Sequence, residues 1–373
     1  MTQTKVEAPF VENNRPFRNL IINGAFQVAQ RGTSSTSNNY TTVDRWGGDS
    51  GGTDESPTFA QVNVASGTTP YTLGFRKAYS ITNGNQTGGA DADDYMGVNT
   101  KLEAQDIANS GWNYTSTSSY ITLSFWVKSS VAQNFYGYLI TNDGTAQIYP
   151  FETGSLSADT WTKVTKTIPG NSNLTINNDN GVGLQLQFWS FLGTTYTSSV
   201  TLNQWAAYAS GTRTPNNTST WYTTNDATFE ITGVQLEVGD AATDFEHLPY
   251  DVQLRRCQRY YYLHTSGAES NTSQVGIFSA YSSSNIQTSV FHPVQMRAAA
   301  SAVFTQGTNY YNAYGNGALD AFDGFDLGGE GNKNGSQLYT SSKNVSVTQA
   351  SPYFVRVNGS TGATAVVAFS AEL

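Results

Sequence analysis

Alternation of apolar and polar residues with a period of two runs through the first 240 or so residues, the signature of half-buried strands. In YITLSFWVK (120–128), Ile121, Leu123, Phe125 and Val127 share one face, and Thr122, Ser124, Trp126 and Lys128 share the other. In VGLQLQFWSF (182–191), Val182, Leu184, Leu186 and Phe188 form the inner set, with Gln185, Gln187 and Trp189 opposite. A closing strand at 226–238 places Phe229 and Ile231 inward. After a shift at Gly233, Val234, Leu236 and Val238 face in, while Gln235 and Glu237 face out. TFAQVNVA (58–65), GFRKAYSIT (74–82), NFYGYLIT (134–141) and TWTKVTKTI (160–168) predict further strands. NLIINGAFQVAQRG puts Leu20, Ile22, Ala25 or Phe26, and Val28 in a strand interrupted by a turn or bulge at Asn23-Gly24. About eight to ten strands over roughly 225 residues, separated by turn formers, suit a jelly-roll β-sandwich with generous loops.

The pattern changes after the closing strand. A Gly-Asp turn and an Ala/Thr/Asp loop lead to Pro249, a short helix-like run, and the basic, tyrosine-rich segment RRCQRYYY. The expected organisation is an arm (1–18), a jelly-roll domain (19–246), a hinge (247–262) and a smaller C-terminal β-domain (263–373). SQVGIFSAYSS and NIQTSVFHPVQM predict a hairpin turning at Ser283 to Asn285, and NVSVTQ, YFVRVNG and ATAVVAFSAEL supply later strands. The Gly/Asn-rich interval 306–336 reads as long surface loops, although it carries Tyr310, Tyr311, Tyr314, Phe322 and Phe325. A β-unit of about 110 residues is small for a sandwich with such loops, so threefold packing is expected to complete its core. The arm, with Phe10 and Phe17, is either a floppy terminus or an extended segment docking on a neighbour.

Composition narrows the function. Only 13% of the residues are charged and the formal net charge is −9, which argues against nucleic acid or an anionic membrane as partner. A single cysteine, Cys257, excludes an internal disulfide framework and is expected to be a small buried hydrophobe. No amino-terminal apolar region and no long apolar span is present, so neither secretion signal nor membrane insertion is expected.

NLIINGAFQVAQRG, the following DRW, SFWVKSS, TWTKVTKTI and ITGVQLEVGDAATDFEHLPYDVQLRRCQRYYY together resemble fibre and receptor-binding proteins of tailed bacteriophages, cyanophage and marine-phage types included. The larger domain of those proteins is similar to jelly-roll carbohydrate-binding modules. FHPVQMRAAAS (291–301) resembles the strand-and-turn motif of the small β-domain that ends many of them, with Ala300 where a proline is common. The resemblance covers roughly residues 19 to 301, and its most specific part is Gly233 to Tyr262. It implies a homotrimeric virion component, assembled in the host cytoplasm, that binds host surface polysaccharide or another receptor during adsorption. The arm would dock on another tail or capsid protein. The competing reading is a structural decoration or adaptor protein of the virion without receptor binding.

Candidate chemistry follows from the strand faces. If the three alternating strands lie in one sheet, its non-core face carries Trp126, Trp189, Gln185, Gln187, Gln235, Glu237 and Lys128. Flat rings pack on the C–H face of a pyranose while amides and carboxylates bond its hydroxyls, so this set is the candidate glycan site. A loop, the arm or a neighbouring protomer covering the face would equally use Trp and Gln. Arg255, Arg256, Arg259, Tyr260, Tyr261 and Tyr262 are either a solvated helix end running into a half-buried strand, or an oligomer or interdomain seam. No cofactor is expected. A structural calcium ion is the alternative for the acidic loops around Asp49, Asp54 and Glu55 and around Asp91, Asp93 and Asp94, whose spacing is not that of an EF-hand. His247, His264 and His292 are scattered, and no nucleophile or phosphate-loop motif is present. Glu237 finds no persuasive second carboxylate among Glu152, Asp159 and Glu230, so an enzyme is not expected.

Overall fold

The computed structural model describes residues 16–329 and 331–373, so the arm with Phe10 lies almost wholly outside the described residues. The chain divides into two compact units, 1–253 together with Leu373, and 254–372. The division falls inside a helix, Tyr250–Gln258, within the segment assigned above to the hinge.

Unit 1 contains twelve described strands: β1 (Ser34–Ser35), β2 (Gly47–Gly51), β3 (Thr58–Asn63), β4 (Lys77–Thr82), β5 (Tyr95–Glu103), β6 (Tyr120–Ser129), β7 (Asn134–Thr141), β8 (Gln147–Ser155), β9 (Thr162–Pro169), β10 (Val182–Leu192), β11 (Ala206–Ala207) and β12 (Thr228–Val238). They form two antiparallel six-stranded sheets, ordered β1-β3-β4-β12-β6-β9 and β11-β8-β7-β10-β5-β2. The fold is all-β, a jelly-roll sandwich. Seven of the eight strands read from sequence are present at close to their expected bounds. Sequence reading passed over the two-residue β1 and β11 and also β2, β5 and β8, whose Gly, Asn, Pro and Glu residues blur the alternation.

The inward residues of the two sheets interlock through aromatics. Phe125 lies 4.8 Å from Phe188 and 6.2 Å from Phe151, ring centroid to centroid. Phe26 sits 4.8 Å from Trp46, which stacks 6.4 Å from Phe188. Burying each such ring is worth about 1.5–3 kcal/mol.

The eighth expected strand, around 20–28, is a correction. It has no regular ladder, because Asn23 takes a left-handed backbone (φ 59°) and its amide ties the loop together. Asn23 Nδ2 donates to the Val28 and Asp44 carbonyls, and Val28 N donates to Asn23 Oδ1. Among the described residues two backbone rungs reach β12, Leu20 N to Leu236 O and Val234 N to Gly24 O. A Cβ on Gly24 would fall 2.0 Å from the Val234 carbonyl oxygen, so the close approach requires glycine.

Unit 2 contains β13 (Tyr261–Ser266), β14 (Gln274–Ser282), β15 (Asn285–Phe291), β16 (Ser301–Phe304), β17 (Tyr311–Gly315), β18 (Ala318–Phe322), β19 (Asp326–Leu327), β20 (Gly335–Tyr339), β21 (Pro352–Val357) and β22 (Val366–Ser370). They form a three-stranded sheet, β13-β22-β16, and a seven-stranded sheet, β18-β17-β21-β14-β15-β20-β19. The interval expected to be surface loop instead supplies β17 to β20, and Tyr311, Phe322 and Phe325 are fully buried in the core. Tyr311 and Phe325 lie 4.6 Å apart, and Phe278 stacks 5.4 Å from Phe325. Short strands rich in Gly and Asn, each burying only one or two rings, leave too weak a period to be read as strands. NVSVTQ, expected as a strand, is irregular.

Two packing features generate tests. Gly233 marks the shift in β12 between Thr232 and Gln235, with φ +62° and a virtual Cβ 2.5 Å from the Phe75 ring. Gly233→Ala is expected to cost about 2 kcal/mol or more by thermal or urea unfolding, through strain and overpacking. In unit 2, His264 Nε2 bonds the Val275 carbonyl and Nδ1 bonds the Tyr262 hydroxyl, while His292 bonds the Lys333 carbonyl and Ser336 Oγ. Burial holds both imidazoles below their ordinary value of 6.5. The unfolded chain therefore takes up protons first, so their contribution to stability is complete above 6.5 and drains as the pH falls below it. Protection factors from hydrogen exchange over residues 261–291 of the full chain, after division by the intrinsic exchange rate at each pH, are expected to fall between about pH 7 and 5, more than in His264→Gln.

Candidate functional site

The two outer faces of unit 1 differ in how far their polar groups are already used. β6 and β12 pair in the first sheet, whereas β10 is central to the second. The expected single glycan face is therefore two faces. Trp126, Gln235 and Glu237 lie outside the first sheet, and Gln185, Gln187 and Trp189 lie outside the second. Alternation places a residue off the core face but does not say which sheet carries it.

On the first sheet the polar residues are committed to the protein itself. Glu237, 3% exposed, accepts hydrogen bonds from Gln235 Nε2 at 2.9 Å, Thr243 N at 2.9 Å and Thr243 Oγ1 at 2.6 Å, and Arg18 Nε lies 3.6 Å away. Gln235 Oε1 accepts from Glu246 N at 2.8 Å. These two residues hold down the 239–246 loop. Trp126 packs half-buried with Phe75, Trp161 and Phe245, and Lys128 pairs with Glu230 at 2.9 Å.

On the second sheet, register sets the outer residues in rows. Trp189 lies opposite Gly97 and Tyr136, Gln187 opposite Asn99 and Tyr138, and Gln185 opposite Lys101 and Ile140. Asp49 of β2 stands beside Gly97. A shift between Trp189 and Phe191 turns Leu192 outward as well, opposite Tyr95. Trp189 is only 3% exposed. Its ring lies over Gly97, where a Cβ would meet it at 2.5 Å, and Tyr95 abuts it edge-on at 6.0 Å. Trp189 is thus a buried support, and the half-exposed rings of this face are Tyr95, Tyr136, Tyr196 and Tyr208. Tyr196 comes from the loop after β10 and Tyr208 directly follows β11, and Tyr196 meets Tyr95 edge-on at 5.7 Å.

Among these rings runs a chain of amides ending on a carboxylate. Gln185 Nε2 donates to Gln187 Oε1 at 3.0 Å, Gln187 Nε2 to Asp49 Oδ2 at 3.3 Å, and Asn99 Nδ2 to the same oxygen at 2.7 Å. Asp49 Oδ1 takes no hydrogen bond from the described residues. Burial raises the Asp49 carboxyl above its ordinary value of 3.8, against the lowering effect of the Asn99 and Gln187 hydrogen bonds and of the Lys101 and Arg213 charges. A half-buried carboxylate with one uncommitted oxygen, ringed by tyrosines, is an acceptor suited to hydroxyl donors. Sequence reading had Asp49 only as a loop acid. Its position in a strand was hidden by the glycines of GGDSG.

The remaining expected residues are placed as follows. Arg255 is exposed and Arg256 half-buried on the helix Tyr250–Gln258, and Cys257 is buried and outside any disulfide. The Arg259 carbonyl accepts from Arg297 N and the Tyr260 carbonyl from Ala371 N. Tyr261 and Tyr262 pair with Ser370 and Phe369 in the ladder of β13 with β22. Asp54 accepts from Gly88 N, Glu55 from Asn85 N, and Asp94 from Asp91 N. Among the described residues no group of three or more His, Cys, Asp or Glu side chains comes together to hold a metal ion. Unit 2 has a depression of about 240 Å³ beside Phe291, where Asn332, Ser336 and Gln337 are already bonded within the protein.

No family model matches the chain, and no curated protein matches it. Among solved structures, it is similar to the enzymatically active domain of tailspike protein 4 of bacteriophage CBA120, with 11% identity and a TM-score of 0.32 over 60% of this chain; the chain spans 22% of that protein's length. It is similar to the N-terminal cellulose-binding domain of Cellulomonas fimi β-1,4-glucanase C, with 11% identity and a TM-score of 0.28, covering 58% of this chain and 99% of that one. It is also similar to the family 11 carbohydrate-binding module of Clostridium thermocellum in complex with a mixed-linked β-1,3-1,4 tetrasaccharide, with 14% identity and a TM-score of 0.25, covering 58% and 98%. Each covered share is smaller than the chain, and at these values the likeness carries no information on ligand or activity.

Proposed function

We propose that the chain is a glycan-binding protein whose site is the outer face of the second sheet of unit 1. The observation that carries this reading is the Asp49 carboxylate, held by Asn99 and Gln187 through one oxygen and uncommitted at the other, among the half-exposed rings of Tyr95, Tyr136 and Tyr196. Vicinal hydroxyls of a sugar would bond Asp49 Oδ1 and the free Gln185 carbonyl oxygen, while tyrosine rings take the C–H face. The finer reading is a virion fibre component that binds host surface glycan during phage adsorption, which rests on the sequence resemblance. It is a reading of binding without catalysis, and release of reducing ends from a bound polysaccharide would replace it with a degrading enzyme.

The proposal includes a homotrimer, whose threefold number also rests on the resemblance. What supports self-association is a bare apolar row on the seven-stranded sheet of unit 2. Leu319, Tyr314, Phe354 and Ile277 stand opposite one another on four adjacent strands, with Leu319 54% and Ile277 62% exposed. Sedimentation of the full chain is expected to give a trimer that Ile277→Asp weakens; a wild-type monomer would refute this part.

Binding of the purified chain to a glycan array and to host cells tests the main reading. Asp49→Asn is expected to lower affinity about tenfold, since a hydrogen bond to a charged group is worth about 1.5–3 kcal/mol, and Tyr95→Ala to lower it comparably. Wild-type affinity is expected to fall on acidification, beginning above pH 3.8 because the Asp49 carboxyl protonates early, whereas Asp49→Asn shows no such fall. Unchanged binding in both variants would overturn the assignment of the face.

A further inference from the structure

We propose that the saccharide received by this face bears a carboxylate, and that Arg213 is the group that engages it. The inference rests on the glycan-binding reading of the same face and adds the class of ligand. Arg213 lies between β11 and β12, its backbone N–H bonded to the Tyr196 carbonyl at 2.9 Å. Its guanidinium carbon sits 4.7 Å from the Tyr196 ring centroid and 5.9 Å from that of Tyr208. Two aromatic faces fix the plane of the fork and offset part of its desolvation. Yet Nε is buried without an acceptor, and the side chain makes no hydrogen bond or ion pair among the described residues.

Other arginines of unit 1 are used differently. Arg18 bonds Thr243 and pairs with Glu237, Arg31 pairs with Asp44 at 3.7 Å, and Arg76 donates to the Tyr71 and Phe75 carbonyls. Arg213 is a cation held in place with its acceptor missing. The side chain is half-buried, so its fork, which has no acceptor among the described residues, stays within reach of a partner that arrives from outside. The planar, two-oxygen geometry of a carboxylate matches the fork.

The rest of the face fits. Lys101, on the row of Gln185, and Arg213 both act on the Asp49 carboxylate as positive charges, and Lys101 Nζ also donates to the Leu373 oxygen at 3.0 Å, which leaves Arg213 as the cation open to a ligand. Asp49 Oδ1 and Arg213 then offer one acceptor for hydroxyls and one donor fork for an acid group. A uronic acid residue presents both groups on one ring. A neutral sugar would leave the fork to a hydroxyl, which satisfies neither its charge nor its two-pronged geometry.

The test is calorimetric titration of the full chain at low salt. The probes are oligogalacturonates, oligoalginates and hyaluronan oligosaccharides, each beside its carboxyl-reduced form, together with neutral β-glucan and xylan oligosaccharides. At least one acidic series is expected to bind about tenfold or more tightly than its reduced form, with the difference shrinking as salt rises. Arg213→Gln is expected to bring the two affinities together. Arg213→Lys, which keeps the charge without the fork, should retain the salt sensitivity and lose most of the discrimination. Equal affinities for acidic and reduced forms in the wild type, or a difference that survives in Arg213→Gln, overturns the inference and leaves the glycan reading standing. Binding of no oligosaccharide, neutral or acidic, overturns both.

Discussion

The aromatic contact between the two sheets of unit 1 sets which way the side chains of its central strands face. Phe125 from one sheet wedges against Phe188 and Phe151 from the other, and Trp46 and Phe26 extend the same layer. A strand has a period of two, so fixing Phe188 inward fixes Gln187 and Trp189 outward, and fixing Val98 inward does the same for Asn99 and Gly97. A one-residue slip of β10 would bury the amide chain and expose its phenylalanines. The core is therefore also the device that aims the site.

A second layer of control is polar and buried. Asn23, Asp44 and Glu237 each bind backbone groups that no ladder satisfies. Asn23 closes the loop at 23–28, Asp44 accepts from Gln30 N and pairs with Arg31, and Glu237 pins the 239–246 loop. Several of these lie in the motifs that carry the phage-fibre resemblance, NLIINGAFQ, DRW and GVQLEVGDAATDFEH. Their roles here are architectural: they pay the hydrogen-bonding debts of irregular segments that a β-sandwich needs at its open ends.

The two outer faces show how the same residue types serve different ends. Gln235 and Glu237 satisfy one another and a covering loop, leaving nothing for a ligand. Gln185, Gln187 and Asn99 instead converge on Asp49 and leave one oxygen open in a partly desolvated place. The second network differs from the first in this incompleteness, together with tyrosine rings that remain half-exposed around it.

The sequence by itself determined the all-β class, most strands of unit 1, the shift at Gly233 and the helix after Pro249, because period, β-branched runs and turn residues are local properties. It also determined which residues of β6 and β10 leave the core, whereas Val238 at the end of β12, read as inward, is 39% exposed. Which sheet each strand joins was decided only by the tertiary structure, since strand pairing is a long-range matter that alternation does not encode. That is why Trp126 and Trp189 end on opposite outer faces, why Asp49 joins Gln187, and why the tyrosines of a distant loop stand over them. The same reason explains Tyr311, Phe322 and Phe325: their short, Gly-rich strands carry too little local pattern, and only packing against Phe278 and Val355 makes them core.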